Sequence, residues 1–268
     1  MTDRVPTPLR DGELAVEGRL VAATNATLLC TIVGPDPQDA GGEAKRLRCV
    51  YKPVAGERPL WDFPDGTLGQ REVAAFLVSE AAGWRVVPPT VLRDGPFGPG
   101  MCQLWVDHNE TALVNVVRPD QVPAGWIRVL DAVDGTGEPV VLTHANDRRL
   151  RRMALFDVVV NNADRKGGHV LVDGSGAVLG VDHGVCFHPE PKLRTVLWGW
   201  GGWRLTVDER QTLRSLLGAL DSELGRQLGD LLSAEEVDST VARVDELLRM
   251  SRFPRPNPDW PPIPWPPF

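Results

Sequence analysis

Apolar and polar positions alternate along residues 12–33 around a break at Ala23-Thr24-Asn25-Ala26, the pattern of two strands joined by a tight turn. A third strand is expected over residues 45–51, with Lys52 at its end, after a loop at 34–42 that holds Pro, Asp and paired Gly. Thr67-Leu68-Gly69-Gln70 has the spacing of a capping box. The helix formers that follow from Glu72 run to Gly83, so a helix of about four turns is expected there. Residues 86–92 and 101–106 then pattern as a strand pair about the turn Asp94-Gly95-Pro96-Phe97-Gly98.

Residues 107–140 mix Pro119, Pro123, Gly125, Gly135, Gly137 and Pro139 with short apolar groups and show no period that assigns an element. From Asn146 the period turns helical, with Leu150, Met153, Ala154, Phe156, Asp157 and Val160 on one face. Capping boxes at Thr206-Val-Asp-Glu209 and Ser233-Ala-Glu-Glu236 open helices that run to about Leu220 and Met250. One hairpin interrupts this helical half. His169-Val-Leu-Val-Asp173 and Ala177-Val-Leu-Gly-Val-Asp182 flank Gly174-Ser175-Gly176, and folding about Ser175 sets His169 beside Val181, with Asp182 at the open end. The tail from Ser251 is rich in Pro, which favours extended geometry, and carries Trp260, Trp265 and Phe268, which suit a segment that docks somewhere.

Composition narrows the classes. A 42% hydrophobic content supports a substantial core, and 36 acidic against 29 basic residues, net −7, argue against a nucleic-acid or anionic-membrane surface. No stretch supplies the ~18 uncharged apolar residues of a membrane span, and the first residues lack a signal peptide's apolar run, so the cytoplasm is the expectation. Cys30, Cys49, Cys102 and Cys186 lack CxxC spacing and are expected to be reduced core thiols. His144 and His188 are expected on the surface or in packing. Trp198, Trp200 and Trp203 suit either a substrate platform or a packed connection.

The hairpin brings Asp164, Arg165, Lys166, His169 and Asp182 to one end, a collection suited to phosphoryl transfer, which needs metal, cationic groups on the phosphates and a group that positions the acceptor hydroxyl. Asp157, on an apolar face, is expected to accept hydrogen bonds from the backbone of the following loop.

At these residues the chain resembles phosphatidylinositol-kinase-like enzymes and related atypical kinases. The run Leu155-Phe-Asp-Val-Val-Val-Asn-Asn-Ala-Asp-Arg165 is similar to their helix and catalytic loop, Asp-Arg-His-x-x-Asn, and Asp182-His183-Gly184 to their metal-binding Asp-x-Gly. Tyr51-Lys52-Pro53 and Arg71-Glu72-Val-Ala-Ala resemble their nucleotide-anchoring lysine and helix glutamate. The resemblance implies an α+β, two-lobed protein-kinase-like fold, with a small β-rich N-lobe carrying one helix over 1–106, a larger helical C-lobe over 107–250 and the tail over 251–268. It further implies an ATP- and Mg²⁺- or Mn²⁺-dependent kinase acting on a protein, lipid or small-molecule acceptor. Asp164, Arg165 and Lys166 would be catalytic, and Asp182 and His169 would hold metal. Lys52, Glu72, Asn25 and the hinge residues Gln103, Leu104 and Trp105 would hold the nucleotide. Lys166 stands where the family has histidine and His169 where it has asparagine. A histidine there suits Mn²⁺ or a single-metal site, and leaves a nucleotide-binding pseudokinase, or transfer of the nucleotide moiety, as alternative readings.

Overall fold

The computed structural model describes residues 4–20, 26–35, 44–58, 60–63 and 67–268. Asn25, in the expected turn, and residues 36–42 of the expected loop lie outside them. A short helix α1 (Thr7–Asp11) precedes strands β1 (Glu13–Arg19), β2 (Leu28–Pro35) and β3 (Ala44–Pro53), helix α2 (Leu68–Ala81), and strands β4 (Thr90–Gly95) and β5 (Gly98–Leu104). The strands form one antiparallel sheet in the order β1-β2-β3-β5-β4. Along β3, Cys49 and Tyr51 are buried while Val50 and Lys52 are partly exposed on the opposite face, as the two-residue period requires. All four cysteines are buried free thiols.

Two boundaries depart from expectation for identifiable reasons. Residues 86–89 are not strand: the amides of Val86 and Val87 donate to the Ser79 hydroxyl, and Pro88 and Pro89 have no amide to give, so pairing begins at Thr90. The capping box at Thr67 is not formed. Thr67 sits in the left-handed region (φ 63°) and its side chain does not cap the helix. The Glu57 carboxylate does so instead, accepting from the amides of Leu68 (3.2 Å) and Gly69 (2.8 Å).

The stretch that showed no period holds β6 (Val114–Val117) and β7 (Trp126–Val133), which with β8 (Pro139–Ala145) make a three-stranded antiparallel sheet, β6-β8-β7. The expectation of a helical half interrupted by a single hairpin is corrected to that extent. Most of β7 is exposed, so apolar alternation is weak where the strand has little to bury. Helix α3 (Arg148–Val159) follows, capped by Asp147, whose side chain accepts from the Arg149 amide. The hairpin β9 (Val170–Val172) and β10 (Val178–Gly180) leads to α4 (Val207–Leu220), α5 (Glu223–Gly229) and α6 (Ala234–Met250). Both later capping boxes are formed in full.

The architecture is thus α+β, an antiparallel sheet with its helix followed by a mainly helical part, and a single cluster of buried side chains runs through both. Arg71 of α2 bridges them, pairing with Glu236 of α6 at 2.5 Å and donating to the Cys186 carbonyl. His144 is buried against Trp200, which is itself enclosed and bonded to Asn146, and Trp198 donates to the Pro262 carbonyl. These tryptophans therefore form a packed connection. Among the described residues, no helix is long and apolar enough to cross a membrane. Replacing Glu57 by alanine is expected to lower the unfolding free energy by about 1 kcal/mol, which thermal melts would register as a drop of roughly 2–4 °C.

Candidate active site

Asp173 shapes the hairpin turn by accepting from the amides of Ser175 (2.8 Å) and Ala177 (2.9 Å). The ladder then sets Val172 opposite Val178 and Val170 opposite Gly180, and the Val181 amide donates to the His169 carbonyl at 3.1 Å. Asp182 emerges at the open end with φ 61°, a left-handed conformation that turns the chain sharply into His183 and Gly184.

Arg165 lies inside the molecule rather than in the cleft, which corrects its expected catalytic role: a group with 0% exposure cannot reach a substrate. Its guanidinium pairs with the equally buried Asp157 at 2.9 Å and donates to the carbonyls of Val181 (3.1 Å) and His169 (3.4 Å). It also meets His183 Nε2 at 2.7 Å. Asp157 accepts from two side chains, Arg165 and Asn162 Nδ2, rather than from loop backbone, so its expected role is corrected as well. Asn162 then accepts from the Asp164 amide at 3.0 Å and fixes where that carboxylate begins.

Lys52 reaches down from β3 between two carboxylates, 2.7 Å from Glu72 and 2.9 Å from Asp182. Glu72 is 1% exposed and uses its second oxygen to accept the His183 amide at 2.9 Å. His169 Nε2 stands 3.6 Å from the other oxygen of Asp182, and Lys166 Nζ 3.4 Å from Asp164. A cleft of about 470 Å³ is roofed by Leu20, Thr27 and Val50 and floored by Leu171 and Val181, with Lys52, Asp164, Lys166, His169 and Asp182 at its polar end. A smaller recess of about 210 Å³ adjoins it and shares Lys52, Asp164 and Asp182.

These surroundings drive the titrating groups apart. The Lys52 ammonium holds the half-exposed Asp182 carboxyl well below the usual carboxylate range. Burial raises the pKa of Asp164, with the cation of Lys166 only partly opposing it. Burial works against the Lys52 ammonium, but Asp182 and Glu72 more than offset it and keep its pKa above that of ordinary lysine. His169 is pushed down to about 4 by burial, and its Nδ1 has no partner among the described residues. Burial likewise keeps His183 neutral, with Nε2 accepting from Arg165 and the proton on Nδ1.

The expected hinge lines the back of the cleft, with a qualification from its hydrogen bonds. The Leu104 amide donates to Pro89 and the Trp105 amide to Arg48, while the Gln103 side chain is buried on Thr90. Leu104 and Trp105 therefore offer carbonyls and side-chain faces, not amide donors, to a ligand. Val50, Leu171, Val181 and Asn162 were not singled out from sequence. The two-residue period that carries Lys52 into the cleft also places Val50 there, and was the available signal.

No family model matches the chain. It is 49% identical over 270 residues, covering 97% of this chain and 94% of the other, to Protein Rv2133c of Mycobacterium tuberculosis. The chain belongs to the same family as that protein. Among solved structures it is similar to the Helicobacter pylori proinflammatory kinase CtkA, with a TM-score of 0.45 and 9% identity over 91% of this chain and 94% of that one.

Two outcomes follow from the buried groups. Asp157→Ala leaves the Arg165 cation unpaired in the interior and is expected to destabilise the fold by about 3–5 kcal/mol in denaturant melts. His169 takes up its proton only near pH 4 when folded, against about 6.5 when unfolded. The unfolded chain binds more protons across that interval, so stability falls as pH drops through it. In metal-free protein, His169→Asn is expected to reduce this loss by up to about 3 kcal/mol between pH 7 and 4; an unchanged urea-melt profile would show that the histidine titrates normally.

Proposed function

We propose that the chain is an ATP- and divalent-metal-dependent phosphotransferase of the phosphatidylinositol-kinase-like type, moving the γ-phosphate of ATP to a hydroxyl on a protein, lipid or small-molecule acceptor. The observation that carries this reading is Lys52, held between Glu72 and Asp182 at the mouth of a cleft that also presents Asp164. An ammonium so fixed is positioned to contact nucleotide phosphates as a point charge, while the apolar walls from Val50, Leu171 and Val181 suit a purine ring.

Among the described residues, no three His, Cys, Asp or Glu side chains converge as a ready-made metal site. That fits Mg²⁺ or Mn²⁺ held by one or two carboxylates together with substrate phosphates and water. Asp182, half-exposed and with its second oxygen 3.6 Å from His169 Nε2, is the residue that would hold the ion, with His169 as a second donor. The bound ion would supply charge neutralisation on the phosphates.

Asp164 is the group suited to orient or deprotonate the acceptor hydroxyl. Its raised pKa brings it closer to the proton affinity a base needs, and Lys166 beside it can receive negative charge on the transferred phosphoryl group.

Radiolabelled ATP tests the proposal directly. Label from the γ position should appear on an acceptor in cell extract or on the chain itself, and Asp164→Asn should slow the transfer by about 10²–10⁴-fold. Transfer of α label, or of neither, would overturn it. ATP with Mg²⁺ or Mn²⁺ at 100 times its dissociation constant should also stabilise the native chain by ~2.7 kcal/mol, an effect expected to disappear in Asp182→Ala.

A further inference from the structure

A second cavity, of about 580 Å³, shares no lining residue with the cleft. It lies between the ends of α3 and α6 and the chain that follows α6. Its volume falls within the ~300–1,000 Å³ of small-molecule sites. Its wall is largely aliphatic and aromatic, with Val158, Leu247, Met250 and Phe253 facing the space. Leucine and methionine conform readily to an apolar chain.

Three arginines, Arg243, Arg252 and Arg255, are among the residues that line the same space. Among the described residues none of them has a carboxylate within ion-pair distance. Arg243 donates to the carbonyls of Val159 (3.0 Å) and His188 (3.2 Å) and to the Thr240 hydroxyl (2.8 Å), and Arg252 to the Gly202 carbonyl (2.9 Å), all neutral acceptors. Glu246, the carboxylate at the rim, is within reach of Arg249. In a chain with 36 acidic and 29 basic residues, three arginines without an anionic partner around one cavity leave a local excess of positive charge. Burial lowers the Arg243 pKa to about 10, which still leaves it a full cation near neutrality.

We propose that this cavity binds a single-chain aliphatic carboxylate, the hydrocarbon lying along Val158, Leu247, Met250 and Phe253 and the carboxylate received by the arginine cluster. An anion supplies the close carboxylate that these arginines, of which Arg243 and Arg252 are bonded to neutral acceptors, do not have, and a flexible chain fills an apolar space that water would occupy poorly. The proposal stands independently of the phosphotransferase reading, since the two sites have no residue in common.

Calorimetric titration of the full chain with laurate, below its micelle concentration, provides the test. Saturable binding to one site is expected, with dodecanol, which lacks the charge, at least about tenfold weaker. Arg255→Glu, at an exposed position, should weaken laurate by about tenfold or more without lowering the melting temperature of the free protein. Val158→Phe, which occupies the space, should abolish binding. No saturable heat, equal affinity for dodecanol and laurate, or unchanged laurate binding in both variants would overturn the proposal.

Discussion

The buried pairing of Asp157 with Arg165 is the constraint from which the rest of the site is assembled. An arginine taken wholly out of water is tolerated only if its charge is matched and its donors are used, and here both conditions are met by groups from different elements. Asp157 comes from α3, the Val181 carbonyl from the end of the hairpin, and His183 from the turn beyond it. The guanidinium therefore fixes the helix, the hairpin and the turn relative to one another. Asp164 and Asp182 take their positions because they flank groups that Arg165 holds. The same chain of contacts continues through the His183 amide to Glu72 and from Glu72 to Lys52, linking the sheet to the helical part.

This arrangement also explains why neighbouring carboxylates behave differently. Asp182 lies against an ammonium and is held ionised, whereas Asp164 is desolvated and only partly compensated by Lys166. One fold thus provides a carboxylate that stays anionic and another whose proton affinity is raised, a separation that acid and base chemistry in a single cleft requires. His169 and His183 remain neutral, so the positive charge at the polar end of the cleft comes from Lys52 and Lys166.

Much of this was legible in the sequence where one physical rule dominates. The hairpin about Ser175 follows from turn chemistry and a two-residue period, and its register follows with it. The capping boxes at Thr206 and Ser233 are local, and both form. Legibility failed where a distant group won. Glu57 caps α2 from across a loop, and Ser79 takes the amides that would have lengthened β4. Arg165 was the most instructive case. Beside Asp164 it has the composition of a catalytic residue, but a buried aspartate one helical face away draws it inward, and the apolar setting of Asp157 was the sequence signal for that partner. The exposed β7, by contrast, buries too little to impose a clear pattern.

The Pro- and Trp-rich tail acts on the site through backbone rather than through side-chain chemistry. The Gly167 amide donates to the Pro267 carbonyl at 2.8 Å and the Thr195 amide to the Pro262 carbonyl at 3.0 Å. Thr195 also bridges to Arg165, so the tail supports the loop on both sides of the buried arginine. Proline suits this use because its carbonyl accepts while its ring supplies no competing amide, and a proline-rich segment loses little conformational freedom when it docks. The Phe268 ring lies where a side chain on Gly167 would have to be, which explains a glycine between Lys166 and His169. Lys192 lies between the rings of Trp61 and Trp260 while pairing with Asp62, so the middle of the tail is tied to the segment before α2. A tail held at its middle and its end in this way makes the loop of Asp164 part of the packed interior on one side and leaves it open to the cleft on the other.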